Sequence, residues 1–388
     1  MRGRFVLAAG LGLLAAPAFA DPITLSDAQL DAVAAGTDFS TTNLVADKPG
    51  VAANTDPDLV NPWGLARAPG GPLWVADNGS GKSTVYNRTT GAKLPLTVTI
   101  PVPGGGTSAP TGAVFNRSDR DDFIVKANGK SGRSAFLFAT EDGTIAGWSP
   151  RVNRNQAVIA VDQSKQGAVF KGLTQGVAAD SDRLFAADFA HNRVDIFDGQ
   201  FRQVGSFTDS TVPSGFAPFN VQSLNGSLYV SFAKRQTNGT DDVAGVGNGF
   251  IDVFDSTGHL QRRLVSNGPL NSPWGMTIAP QSFGQFAGSL LVGNFGDGKV
   301  HAFDPTTGKA MGELMMANGK PLVVDGLWSL RRGPNGSVTF SAGPNDEKDG
   351  LLGTIQAAST SKPPTATTAL KALSRVSGLA AMAIKGHH

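Results

Sequence analysis

Apolar and polar residues alternate along this chain in short runs that end in turn residues. One run at 73–77 leads through Asn78 to a second at 84–87, and paired runs recur at 184–198, 228–255 and 291–304. Alternation with a period of two between turn signals predicts β-hairpins rather than helices. Recurrence along the chain predicts a protein built from repeated units of β-strands.

Six repeats are defined by a short turn followed by an apolar strand. The positions taken as equivalent are Gly64, Gly112, Gly176, Asn220, Gly275 and Ser329. Successive positions lie 44 to 64 residues apart, which accommodates the four short strands of a propeller blade. The predicted fold class is therefore all-β, a six-bladed β-propeller over residues 39–355.

The sixth repeat supplies only three recognisable strands, at 328–331, 337–341 and 351–355. Residues 39–45 form a strand that has no hairpin partner nearby. Adding this strand to the sixth blade would cover its free edge and join the chain ends. The prediction is a propeller closed by an N-terminal strand, with short flexible extensions at both ends.

The two extensions have distinct compositions. Residues 1–20 combine Arg2 and Arg4 with an apolar core and a small-residue end, which predicts a signal peptide and export to the periplasm or the extracellular space. Residues 21–38 are expected to be a mobile arm with a short helix. Residues 356–388 form a flexible basic tail that either stays disordered or contacts an anionic surface. No other run is long enough for a transmembrane segment.

Composition and charge narrow the function classes. The chain has 49 Gly, 23 Pro and no Cys, so few long helices and no disulfides are expected. Loss of residues 1–20 lowers the net charge from +2 to 0, and residues 21–355 alone carry −4. An acidic body argues against nucleic acid as a partner. We expect a monomer whose partner is a small molecule, a carbohydrate or another protein.

Polar residues concentrate in loops that should share one face of the ring. Because strands one and two of a blade are antiparallel, the turn after strand two lies on the same face as the turn that enters strand one. The candidate ligand-binding residues are Asp77, Asn78, Asn128, Asp188, Asn294 and Asp297. The candidate metal ligands are Asp241, Asp242, Asn345, Asp346 and Glu347. Oxygen ligands around a channel suit Ca²⁺, the one cofactor considered, but Asp and Asn are also ordinary turn residues.

Three tryptophans occupy one repeat position, which Thr111, Gln175 and Phe219 fill in the other repeats. These residues are Trp63, Trp274 and Trp328. Packing beside the channel is the expected role, and stacking on sugar rings is the alternative.

Sequence motifs for catalysis are weak. Residues 79–83 end like a phosphate-binding loop, but a strand follows them, and the histidines are scattered over separate repeats.

Several segments together are similar to an uncharacterised family of exported proteins related to NHL-repeat propellers. The segments are 61–65, 138–148, 217–221, 241–245, 271–276, 292–298 and 342–347. The resemblance implies a six-bladed propeller and no established activity. Asp188 stands where the family usually has Asn, so a shared ligand role there does not follow.

The function predicted first is a secreted binding or interaction module that contacts its ligand through the loop face around the channel. The alternative is a Ca²⁺-assisted hydrolase, lactonase or lyase on the same face, and a third possibility is a structural envelope protein. A metal enzyme would need three or more ligand oxygens converging at the channel mouth.

Overall fold

The computed structural model describes residues 37–178, 180–237 and 239–358. The predicted signal peptide, nearly all of the N-terminal arm and nearly all of the basic tail lie outside the described residues. Twenty-seven strands and four single-turn 3₁₀ segments make up the described regular structure. The predicted all-β fold is confirmed.

Two strands precede the first blade, β1 (Phe39–Ala46) and β2 (Asn54–Thr55). Blade one contains β3 (Pro62–Ala66), β4 (Leu73–Asp77), β5 (Lys82–Tyr86) and β6 (Lys93–Thr99). Blade two contains β7 (Pro110–Phe115), the inserted hairpin of β8 (Ile124–Ala127) and β9 (Lys130–Arg133), then β10 (Phe136–Thr140), β11 (Thr144–Trp148) and β12 (Val158–Asp162). Blade three contains β13 (Phe170–Ala178), β14 (Ser181–Asp188), β15 (Arg193–Asp198) and β16 (Gln203–Phe207).

Blade four contains β17 (Phe216–Leu224), β18 (Ser227–Lys234), β19 (Gly249–Phe254) and β20 (Leu260–Ser266). Blade five contains β21 (Pro273–Ile278), β22 (Leu290–Asn294), β23 (Val300–Phe303) and β24 (Ala310–Glu313). Blade six contains β25 (Leu327–Arg332), β26 (Val338–Ala342) and β27 (Leu351–Ala357). The 3₁₀ segments are Asn78–Ser80, Ser164–Gln166, Gly284–Phe286 and Pro334–Gly336.

The six blades form a closed ring around a central channel. Strands within each blade pair antiparallel in chain order, apart from the inserted hairpin of blade two. The first strands contact one another in the cycle β3, β7, β13, β17, β21, β25 and back to β3. The first strand of each blade therefore lines the channel, and six blades are confirmed.

The predicted closure by the N-terminal strand is also confirmed. β1 pairs antiparallel with β27, from Phe39 opposite Ala357 to Ala46 opposite Leu351. The Phe39 ring lies 5.0 Å from the ring of Phe283, between blades five and six. The last blade thus takes its outer strand from the beginning of the chain, which removes a free sheet edge.

Every first strand contains a β-bulge at the same position. Each bulge leaves an extra residue unpaired with the second strand, for example Lys171 between Phe170 and Gly172. The equivalent bulges include Trp63, Thr111, Phe219, Trp274 and Trp328. A bulge redirects the side chain of the extra residue, so one equivalent residue of each blade places its side chain beside the channel.

Candidate functional site

The upper face of the ring is defined here as the face that carries the turns between second and third strands. At its centre, the channel is filled by a cluster of buried aromatic rings. This cluster contains Trp63, Phe189, Phe219, Trp274 and Trp328. Trp63 and Trp328 stack with ring centres 3.5 Å apart, and both are no more than 2% exposed. The tryptophans therefore pack in the channel, as expected, and their rings are closed to a sugar.

Lys171, rather than Gln175, occupies the tryptophan position of blade three. A methyl group on Gly112 would collide with Gly172 and Leu173, and one on Gly172 would collide with Asn220. Gly172 is thus the repeat equivalent, and the sequence alignment on Gly176 was wrong by four residues. The nine-residue strand β13 contains two Gly positions in similar apolar surroundings, which explains the error.

The side chain of Lys171 is 3% exposed and still makes two ion pairs. Its Nζ lies 2.5 Å from Glu141 Oε1 and 3.2 Å from Asp241 Oδ1. The same ammonium lies 5.3 Å from the ring centre of Trp63, a distance that allows a cation–π interaction. Burial alone would lower the pKa of Lys171, but the two carboxylates outweigh it and raise the pKa. Lys171 is therefore a buried, charged group.

A chain of hydrogen bonds joins this ion pair to blades one and six. Asn78 Nδ2 donates to Glu141 Oε2 at 2.9 Å, and Asn61 Nδ2 donates to Glu347 Oε2 at 2.7 Å. The two amides meet where Asn61 Nδ2 approaches Asn78 Oδ1 at 3.3 Å. Trp328 Nε1 donates to Asn61 Oδ1 at 2.9 Å, which ties the network to the aromatic cluster. We call this upper mouth of the channel, with Asn61, Asn78, Glu141, Lys171, Asp241, Asp242 and Glu347, the acidic mouth.

Negative charge exceeds positive charge in the acidic mouth. Four carboxyl groups lie there, and within the described residues Lys171 is the cation bonded to them. Burial raises the pKa of Glu347, and the nearby carboxylates of Glu141 and Asp242 raise it further. Burial also raises the pKa of Asp242, against the opposing effect of Lys171. Such coupled carboxyl groups are suited to bind a cation or to exchange a proton.

The loop that presents Glu347 has an uncommon backbone. Asn345, Asp346 and Glu347 have φ values of 59°, 54° and 62°, all in the left-handed region. Consecutive left-handed residues are unfavourable for L-amino acids and require support from their surroundings. Here the loop directs Glu347 toward Asn61, while the Asp346 side chain is 90% exposed and lies 3.7 Å from Lys348.

Three of the candidate ligand residues are buried within their own blades. Asp77, Asp188 and Asn294 end the second strands of blades one, three and five, and each is 0% exposed. Asp77 Oδ2 accepts bonds from the backbone and hydroxyl of Thr84, and Asp188 Oδ2 lies 2.6 Å from His191 Nδ1. These contacts close the hairpin turns, as the turn interpretation of these residues predicts.

The remaining candidates divide between the acidic mouth and other places. Asn78 belongs to the mouth, whereas Asp297 Oδ1 accepts from the backbone of Lys299 in its own turn. Asn128 was placed wrongly, because it lies between β8 and β9 in an insertion that joins strands one and two of blade two. The true upper turn of this blade contains Glu141, which the sequence analysis did not single out. A usable signal was the scarcity of Glu, since the chain has only three and two of them are in the mouth.

The five candidate metal ligands are not brought together. Asp241, Asp242 and Glu347 reach the acidic mouth, but Asn345 Nδ2 approaches Asp349 Oδ2 at 3.4 Å and Asp346 faces solvent. Within the described ranges, no three His, Cys, Asp or Glu side chains are grouped as metal ligands would be. The ammonium of Lys171 lies between Glu141 and Asp241 and bonds both carboxylates.

Comparison with solved structures finds two enzymes among the similar chains. A streptogramin B lyase is 11% identical with a TM-score of 0.48, and covers 83% of this chain and 98% of its own. The apo-form of the soluble aldose sugar dehydrogenase of Escherichia coli is 14% identical with a TM-score of 0.49, over 82% of this chain and 99% of its own. Within the described residues, no helix is long and apolar enough to span a membrane.

Sequence comparison identifies relatives that match about four fifths of the chain. No protein-family model matches the chain. Uncharacterized protein R648 of Acanthamoeba polyphaga mimivirus is 32% identical over 324 residues, which is 80% of this chain and 78% of the viral protein. Uncharacterized protein L690 of the same virus is 34% identical over 80% of this chain and 84% of its own length. The chain therefore belongs to the same protein family as these two viral proteins.

Proposed function

We propose that this protein is an exported binding module that holds a small organic cation at the acidic mouth. The observation that carries the proposal is the excess of carboxyl groups over ammonium groups there. Asp241 has a side chain that is 66% exposed, so a ligand approaching from solvent has access to it. Export rests on the composition of residues 1–20.

A cationic ligand fits this mouth better than a neutral one for a physical reason. The carboxylates of Glu141 and Asp242 raise the pKa of Glu347 by repelling its charged form, and an added positive charge would relieve that repulsion. Lys171 shows such an arrangement inside the molecule, since its ammonium is bound by carboxylates and lies above an aromatic ring. A ligand amine would extend this arrangement outward toward Glu347 and Asp241.

Calorimetric titration tests the proposal with 1,4-diaminobutane and its neutral counterpart 1,4-butanediol. We expect the diamine to bind and the diol to give no heat. Glu347→Gln should weaken diamine binding about tenfold, the loss of one charge-assisted bond. Glu313→Gln is the matched control, because Glu313 lies on the outer strand of blade five. Equal weakening by both variants, or no diamine binding at millimolar concentration, would contradict the proposal.

The second candidate is a Ca²⁺-assisted hydrolase, lactonase or lyase at the same mouth. Its support is the raised pKa of Glu347 beside other carboxylates, a pattern found in acid–base catalysis. Thermal melts in calcium and in chelator separate the two candidates. Stabilisation by calcium that Glu347→Gln abolishes would favour the enzyme, whereas stabilisation by the diamine alone favours the binding module.

A further inference from the structure

The lower mouth of the channel, opposite the acidic mouth, contains a cavity with an unusual lining. Its volume is about 250 Å³, and the carboxyl-terminal ends of the first strands surround it. Four arginines line the cavity, and none of its lining residues is Asp or Glu. The arginines are Arg67, Arg117, Arg331 and Arg332. The two ends of the channel therefore carry opposite charge.

Among the described residues, these four arginines have no acidic side chain as a counter-ion. In the ranges that the structure describes, none of the four lies within salt-bridge distance of an acidic side chain. Arg263 in blade four shows how the chain treats a half-buried arginine elsewhere, because its guanidinium bonds both Asp209 and Asp252. The absence of such a partner at the lower mouth leaves positive charge available to a ligand.

Arg331 is the central member of this set. It is half-buried, and its Nη1 donates to the backbone oxygen of Leu65 at 3.2 Å. Burial lowers the pKa of Arg331 to about 10, and the neighbouring charges of Arg117 and Arg67 contribute to the lowering. An anion placed between the three guanidinium groups would offset both the burial and the mutual repulsion.

We propose that the lower mouth binds a small oxyanion, with a phosphate or carboxylate group held by Arg67, Arg117 and Arg331. The planar guanidinium group presents paired N–H donors that match the oxygens of both anions. Neutral side chains of Gln222 and Ser223 line the same cavity and offer further hydrogen bonds. The packed tryptophans separate this site from the acidic mouth, so the inference does not rest on the proposed function.

Calorimetric titrations with inorganic phosphate and with succinate, at constant ionic strength, test this site. We expect at least one of them to bind, and the stronger of the two identifies the anion class. Arg331→Gln and Arg117→Gln should each weaken binding about tenfold or more, the loss of one charge-assisted contact. Affinity should also fall as potassium chloride is raised.

Two controls make the test decisive. Arg262→Gln removes an exposed arginine on the outer strand of blade four and should leave anion affinity unchanged. Arg117 is exposed, so Arg117→Gln keeps the fold even if Arg331→Gln does not. Absence of binding by both anions at millimolar concentration, or equal weakening by Arg262→Gln and Arg117→Gln, would overturn the proposal.

Discussion

The ammonium of Lys171 lies 2.5 Å from a carboxylate oxygen of Glu141, and the two residues come from adjacent blades. Glu141 lies in the upper turn of blade two, and Lys171 is the bulged residue at the start of blade three. Their ion pair thus crosses a blade boundary at the centre of the ring. Any ligand that perturbs this pair would act directly on the packing of neighbouring blades.

Closure of the ring predicts that truncation of Phe39, which packs between blades five and six, strongly lowers stability. Phe39→Ala removes a ring that is 2% exposed, and we expect a loss of about 3–5 kcal/mol in the free energy of unfolding. Ser40→Ala, at the next and exposed position of β1, should change it little. Deletion of 39–45 should cost at least several kcal/mol, measured by urea unfolding. Equal melting temperatures for the deletion and the intact chain would refute the closure.

Crowding beside the bulge of blade three predicts that Gly172 cannot carry a side chain. A Cβ there would lie 2.2 Å from Asn220 Oδ1 and 2.9 Å from Asn220 Cα, in the next blade. Gly172→Ala should therefore cost about 1–3 kcal/mol through displaced packing. Gly205→Ala is the control, since its nearest neighbour would be Ile196 Cδ1 at 3.7 Å. If both variants unfold at the same urea concentration, the crowding at Gly172 is refuted.

Much of the fold was predictable because it depends on local patterns. In the sequence, the 39–45 strand has no hairpin partner and the last blade has only three strands. Pairing of β1 with β27 gives the strand its partner and the blade its fourth strand. Hairpins such as β14 and β15 follow directly from alternation and turn residues. Both inferences need only the period of two and the rule that sheet edges are covered.

The site was less predictable because it depends on register and on the direction of side chains. Lys171 was missed because the aligned position was Gln175, although Lys171-Gly172-Leu173 matches Trp63-Gly64-Leu65 at the last two residues. Asp77 and Asn294 were placed on the correct face, but their side chains turn into the blades. Local sequence predicts where a turn lies and does not predict which way its carboxylate points.

Burial of Asp77 predicts an unusual pH dependence of stability. Its Oδ1 is buried with no partner, and burial raises its pKa well above the usual range against the opposing bonds from Thr84. The folded state then binds a proton more tightly than the unfolded state. Stability should fall as pH rises above about 4, the ordinary Asp value, by at most ~1.4 kcal/mol per pH unit until the folded pKa is passed.

Asp77→Asn tests this assignment by removing the titration while keeping the shape. At pH 8 the variant should be more stable than the unmodified protein, and at pH 4 the difference should shrink. Asp119→Asn, in an exposed turn of blade two, should leave the pH profile unchanged. Urea unfolding at each pH is the measurement, and parallel profiles for the Asp77→Asn variant and the unmodified protein would exclude a protonated Asp77.

The position of Lys171 predicts how the acidic mouth responds to calcium. In the unmodified protein its ammonium already occupies the position between Glu141 and Asp241 and bonds both carboxylates, so calcium should change the melting temperature little. Lys171→Met keeps the length of the side chain but leaves these carboxylates, with Asp242 and Glu347, without their cation. The variant should lose about 1–3 kcal/mol of stability, the cost of an unsatisfied charged contact. Calcium should restore part of it, because a divalent ion binds grouped oxygen ligands only when the loops are folded.

Lys299→Met, which removes a 3.9 Å pair with Glu313 on blade five, is the matched control and should show no calcium effect. Thermal melts of Lys171→Met that superimpose in calcium and in chelator would show that the carboxylates do not converge on a shared cation position.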